Sequence, residues 1–137
     1  MRGSPKPRKG DVMADVKFYR CAHCGNIVAV IEDGKVTPVC CGEKMQLLEA
    51  GVTDGAAEKH VPAVTRAGGR VEVAVGEVAH PMLDEHYIAW VALAAEDRLE
   101  VKHLHPGQEP RVSFADEGGD VTVYEYCNLH GLWKAEA

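Results

Sequence analysis

No apolar run in this sequence approaches the ~20 residues of a membrane-spanning helix. Its polar, basic start, residues 1–17, also lacks the apolar core of a secretory signal. These absences predict a cytoplasmic chain with no membrane partner. Net charge is −6 and no basic, aromatic-interleaved patch is present, so nucleic acid is not an expected partner either. Neither an amphipathic helical stretch nor an internal repeat can be found. The cysteines number five, and an odd count without a secretory signal argues against a disulfide framework.

What remains is a chain of ordinary globular composition, 46% hydrophobic and 26% charged, with an unusual store of metal-binding side chains. Four of its five cysteines fall between Cys21 and Cys41, and seven histidines accompany them. The opening residues, with Gly3, Pro5, Pro7 and Gly10 among basic side chains, read as a disordered extension or leader over 1–14, with Met13 as a plausible start. A small metal module is expected over 15–49. Within it Ile27–Ile31 reads as a strand, Asp33-Gly34 as a hairpin turn and Lys35–Val39 as the return strand. So short a segment cannot bury enough apolar surface to fold unaided, and a metal would supply the missing stability.

Residues 50–57 have linker composition. From 58 to 137 the pattern is β throughout. Val71, Val73 and Val75 alternate with polar or small residues. His86–Leu93 is a long strand-like run, with Tyr87, Ala89, Val91 and Leu93 on one face and His86, Ile88, Trp90 and Ala92 on the other. Shorter strands are expected at Leu99–Leu104, Arg111–Phe114 and Val121–Tyr126. Turn signals at Gly68-Gly69, Pro106-Gly107 and Gly118-Gly119 separate them. Short strands at this spacing predict a sandwich or barrel.

Two constellations carry chemistry. In the first, Cys21-x2-Cys24 is followed after fifteen residues by the adjacent pair Cys40-Cys41. A Cys-x2-Cys turn aims two thiolates at one ion. Adjacent cysteines reach the same ion only with some distortion from a regular tetrahedron, which suits a redox iron at least as well as a structural zinc. A dithiol redox pair at Cys21 and Cys24 is the other reading. His23, inside the turn, reads as a solvated loop residue.

The second constellation is dispersed: His60, His80, His86, Cys127 and His130, each at a loop or strand end. Taken singly, each histidine reads as an ordinary surface or core residue and Cys127 as a small buried hydrophobe. Only the set points to a metal. His103 and His105 read as exposed and not as ligands.

Four stretches together resemble the desulfoferrodoxin family, the two-domain form of superoxide reductase. They are Cys21-Ala22-His23-Cys24-Gly25-Asn26-Ile27-Val28 with Cys40-Cys41-Gly42; Glu58-Lys59-His60-Val61-Pro62; Val78-Ala79-His80-Pro81-Met82 running on to His86; and Glu125-Tyr126-Cys127-Asn128-Leu129-His130-Gly131 with Trp133-Lys134. The resemblance covers the chain from Asp15 onward.

It implies a mainly β protein: a desulforedoxin-like module holding iron on Cys21, Cys24, Cys40 and Cys41, followed by an immunoglobulin-like β-sandwich carrying a catalytic iron. At that second iron the imidazoles of His60, His80, His86 and His130 would lie in a plane, with the thiolate of Cys127 on the axis and the sixth position open. The implied activity is one-electron reduction of superoxide to hydrogen peroxide by a homodimer, with electrons from a rubredoxin-type donor. Lys59 would attract the anionic substrate and help with protons, and Glu58 would cap the oxidised site. Three rivals stand beside this: a histidine-rich iron dioxygenase, a structural protein with zinc in both sites, and a plain electron carrier.

Overall fold

The computed structural model describes residues 15–51, 60–75 and 81–137. The leader at 1–14 and the residues Glu58, Lys59 and His80 lie outside these, as does linker sequence from 52 on. Twelve strands are found among the described residues. Two compact units divide the chain, one over Val16–Glu49 and the other comprising Ala50–Ala137 together with Met1–Asp15.

In the first unit, β1 (Phe18–Arg20) lies between β2 (Ile27–Ala29) and β5 (Gln46–Leu47) in an antiparallel sheet. A separate hairpin pairs β3 (Val39–Cys40) with β4 (Glu43–Lys44). The hairpin expected at Asp33-Gly34 does not form. β2 takes β1 as its partner, and Asp33 instead accepts the Lys35 N–H at 2.9 Å and meets Lys17 at 3.0 Å. Lys35 sits at φ 63°, outside the extended region that a return strand needs. The buried apolar set here is small: Tyr19, Cys21 and Met45 cluster together, with Val30 and Cys40 partly buried against them, and Phe18 is buried as well.

The second unit is a sandwich. One sheet has the order β10 (Arg111–Ala115), β7 (Arg70–Val75), β6 (Pro62–Ala67). The other runs β12 (Gly131–Glu136), β11 (Thr122–Cys127), β8 (Ile88–Ala95), β9 (Arg98–His103). Val71, Val73 and Val75 face inward as their alternation predicts, with Phe114, Leu93 and Val123 among the buried residues packed in the same core. Strands β6 and β12 had no clear sequence signal. Each is an edge strand, β6 with an alternating and β12 with a mixed burial pattern.

The strict alternation expected along β8 breaks. The ladder pairs Tyr126 with Trp90 and then Cys127 with Ile88, so Ala89 is an extra residue on β8. This bulge reverses the parity of the strand. Ile88, Val91 and Leu93 therefore all reach the core, although the sequence placed Ile88 on the face opposite the other two.

A bidentate ion pair ties β6 to the segment after β10: Arg66 Nε and Nη2 donate to Asp116 at 3.0 and 2.5 Å, and Arg66 Nη1 donates to the Gly119 carbonyl at 2.6 Å. The Arg66 guanidinium holds the Asp116 carboxyl down at about 2. A carboxyl depressed in the folded state contributes stability above its unfolded pKa and loses it as pH falls through the folded one. Asp116→Asn should thus lower the melting temperature at neutral pH. The gap from the parent protein should close between pH ~4 and ~2. A gap independent of pH would show that the pairing charge is irrelevant.

Candidate metal centres

The four-cysteine site is built by two turns. Between β1 and β2, Gly25 N–H donates to the Cys21 carbonyl at 3.0 Å and Cys21 N–H to the Asn26 carbonyl at 2.9 Å, with Gly25 in the left-handed region at φ 81°. The backbone thereby folds back, and Cys21 and Cys24 point the same way. Between β3 and β4, Cys40 pairs with Glu43 across a two-residue turn whose members, Cys41 and Gly42, both have positive φ (53° and 76°). That is the signature of a type I′ turn. It explains how adjacent cysteines serve one site: Cys40 is the last residue of a strand, and Cys41 is turned by its left-handed backbone back toward the same point.

The ligand atoms of the four residues all lie within 4.8 Å of one another. Cys24 and Cys40 sulfurs are 3.6 Å apart and Cys40 and Cys41 sulfurs 4.0 Å. A tetrahedral ion with metal–sulfur bonds of ~2.3 Å requires sulfurs ~3.8 Å apart, so the set fits a metal. The backbone N–H groups of Cys24 and His23 point at the Cys21 sulfur, each at 3.4 Å, and bring its pKa down to about 6. Cys41, crowded by the other three sulfurs, is pushed up to about 12. His23 is exposed, as expected, and pairs with Glu43 at 3.0 Å.

At one end of the sandwich, four side chains from three separate segments converge. His60 precedes β6. His86 closes the tight turn Leu83–His86. Cys127 ends β11, and His130 stands in the loop before β12. Their ligand atoms also lie within 4.8 Å of one another. His130 Nδ1 is 3.0 Å from His60 Nε2 and 3.9 Å from Cys127 Sγ. Two imidazole nitrogens at right angles on one ion, each ~2.1 Å away, would be ~3.0 Å apart. The His130 ring stands nearly perpendicular to those of His60 and His86, at 83° and 74°. His60 and Cys127 are buried; burial pushes the Cys127 thiol up, and the backbone N–H groups of Leu129 and His130 partly offset this. His103 and His105 are exposed and belong to neither cluster.

Two further residues, present in the fourth matching stretch but given no role from sequence, shape this site. Trp133 of β12 stacks on His60 (5.0 Å, 22°) and donates its indole N–H to the His130 carbonyl at 3.1 Å. Glu125 lies between Val123 and Cys127 on the core face of β11, fully buried, and neither carboxyl oxygen has a hydrogen-bond partner among the described residues. Burial raises its pKa to about 9, so at neutral pH it is a neutral acid, far cheaper to bury than a carboxylate. The signal that could have found it was parity: an acidic residue in step with Val121, Val123 and Cys127.

Fold and sites together define a two-centre metalloprotein, with a four-thiolate module and a β-sandwich bearing a mixed histidine–cysteine centre. The sequence profile of the Desulfoferrodoxin family matches residues 52–136, and that of the Desulfoferrodoxin N-terminal domain matches residues 14–48. The desulfoferrodoxin of Nitratidesulfovibrio vulgaris is 48% identical over 121 residues, spanning 88% of this chain and 96% of the relative. The desulfoferrodoxin of Desulfarculus baarsii is 46% identical over the same shares. The crystal structure of the superoxide reductase from Treponema pallidum superposes with a TM-score of 0.73 at 36% identity, covering 88% of this chain and 98% of that one. This chain belongs to the desulfoferrodoxin family, and its two donor sets fit that family's two iron centres.

Proposed function

We propose that the chain is a superoxide reductase, taking one electron and two protons to convert each superoxide to hydrogen peroxide. The observation that carries this is the meeting of Cys127 with His60, His86 and His130 at one point, in a chain similar over most of its length to a superoxide reductase of known structure. His80 completes the set as a fourth imidazole on this reading. Iron held there would supply the transferred electron and a position open to a small anion.

The protein's own part is electrostatic and geometric. Neutral imidazoles and one thiolate would leave a divalent cation with a net charge of about +1, so the site attracts an anion. Cys127 is the sole anionic donor, enclosed where its thiolate is shielded from water. Lys59, beside His60 in sequence, would add positive charge near the open position and a proton source through water. Glu58, two residues before His60 in sequence, would cap the site once oxidised, as the family resemblance implies. Residues 15–49 and 58–137 act as separate domains joined by the linker at 50–57. A cytoplasmic homodimer fed by a rubredoxin-type donor is the working assembly that the family resemblance supports.

The direct test mixes reduced protein with superoxide and measures products. One peroxide per superoxide, with no oxygen evolved, is expected; oxygen release in dismutase proportion would refute the assignment. Lys59→Ile should slow the second-order reaction about tenfold at low salt and flatten its ionic-strength dependence. An unaltered rate constant removes Lys59 from the mechanism. Glu58→Ala should change the pH dependence of the oxidised protein's visible spectrum.

A further inference from the structure

The second centre draws its ligands from segments that no regular ladder joins at the site itself. The β8–β11 pairing ends at Cys127–Ile88, immediately beyond the bulge at Ala89. His86 lies past that end, in the turn leading into β8. Something other than the sheet must therefore fix its backbone relative to Cys127 and His130.

The side chain of Asn128 occupies that gap. Its Oδ1 accepts the Tyr87 N–H at 2.8 Å, and its Nδ2 donates to the Glu85 carbonyl at 3.1 Å. Its own N–H donates to the Tyr87 carbonyl at 3.2 Å. The backbone of His86 itself is held by Leu83, with N–H to carbonyl distances of 3.1 and 2.9 Å in the two directions. Each of the two peptide groups flanking His86 is thus bonded at one end by Leu83 of its own turn and at the other by Asn128.

We propose that Asn128 is a positioning residue: its side-chain amide extends the β8–β11 ladder by one step and locks His86 into the ligand set beside Cys127. The assignment rests on the reading of His86 and Cys127 as ligands of one iron. Asparagine suits the task because one short side chain must both accept and donate. Aspartate keeps the acceptor for Tyr87 but turns a charged oxygen toward the Glu85 carbonyl. Serine is too short to reach both groups, and glutamine adds a methylene. Asn128 is exposed, so truncation leaves no core cavity and the variants fold.

The test uses the full-length, iron-loaded protein and measures iron affinity at the second centre together with its sulfur-to-iron absorption. The four-thiolate absorption serves as an internal reference. Asn128→Ala should weaken iron binding there by about ten- to a hundredfold and shift the absorption, with Asn128→Asp intermediate and the reference band unmoved. In a His86→Ala background, Asn128→Ala should have no further effect, because the residue acts through His86. A full additional loss in that background, or an Asn128→Ala protein with parental affinity and spectrum, overturns the proposal. If His86→Ala itself leaves affinity and spectrum unchanged, the ligand reading fails instead, and the two failures are told apart by which single variant is silent.

Discussion

Replacing Cys127 with serine is expected to erase the sulfur-to-iron absorption of the sandwich centre, leave that of the four-thiolate module intact, and lower the superoxide rate constant at least about a hundredfold. Partners one layer outside a metal's ligands already carry effects of ten- to a hundredfold, so loss of a ligand sets a floor at the top of that range. The side chain is fully buried, in a cluster with Ile88, Val91 and Val123. A serine hydroxyl there does not ionise at neutral pH, and burying it costs about 1–3 kcal/mol. A melting curve recorded alongside the spectrum separates that modest loss of stability from loss of the centre. Cys127→Ala, which buries no hydroxyl, should lose the band equally. If either variant keeps it, the sulfur donor is elsewhere and the catalytic account fails.

The second large effect concerns the module. Among its described residues the buried apolar side chains are only Phe18, Tyr19, Cys21 and Met45. Segments below ~40 residues seldom fold without a metal, disulfide or partner, and structural metal binding supplies on the order of 10 kcal/mol. The double variant Cys24→Ser, Cys41→Ser removes two exposed sulfurs and leaves the packed ones untouched. Amide hydrogen exchange on the full chain should then show protection lost throughout β1, β2 and β5, with the strands of the sandwich still protected. Protection retained in β1 without metal would mean that the apolar core suffices by itself, contrary to its size.

Both expectations depend on how adjacent or distant residues come to share a point, and here sequence and structure contributed differently. The valines of β7 were legible because a half-buried strand has a period of two. The cysteine pattern was legible as a metal site because ligand pairs on tight turns leave a local signature. The first unit's pairing was not, since β1 and β5 are too short to carry a period and Asp33-Gly34 imitates a hairpin. On β8 the expected faces failed at Ala89, because a bulge depends on the partner strand and leaves no mark in the bulged one.

The sequence by itself determined which side chains could bind metal, that the chain is β, and, through four motifs, the family to which it belongs. Those properties are local or compositional. Only the tertiary structure decided that Cys41 turns back through a left-handed residue, that Glu125 is an inward-facing neutral acid, and that His60, His86, Cys127 and His130 meet. The physical reason is that strand pairing and burial are set between segments far apart in the chain, and no window of sequence contains both partners.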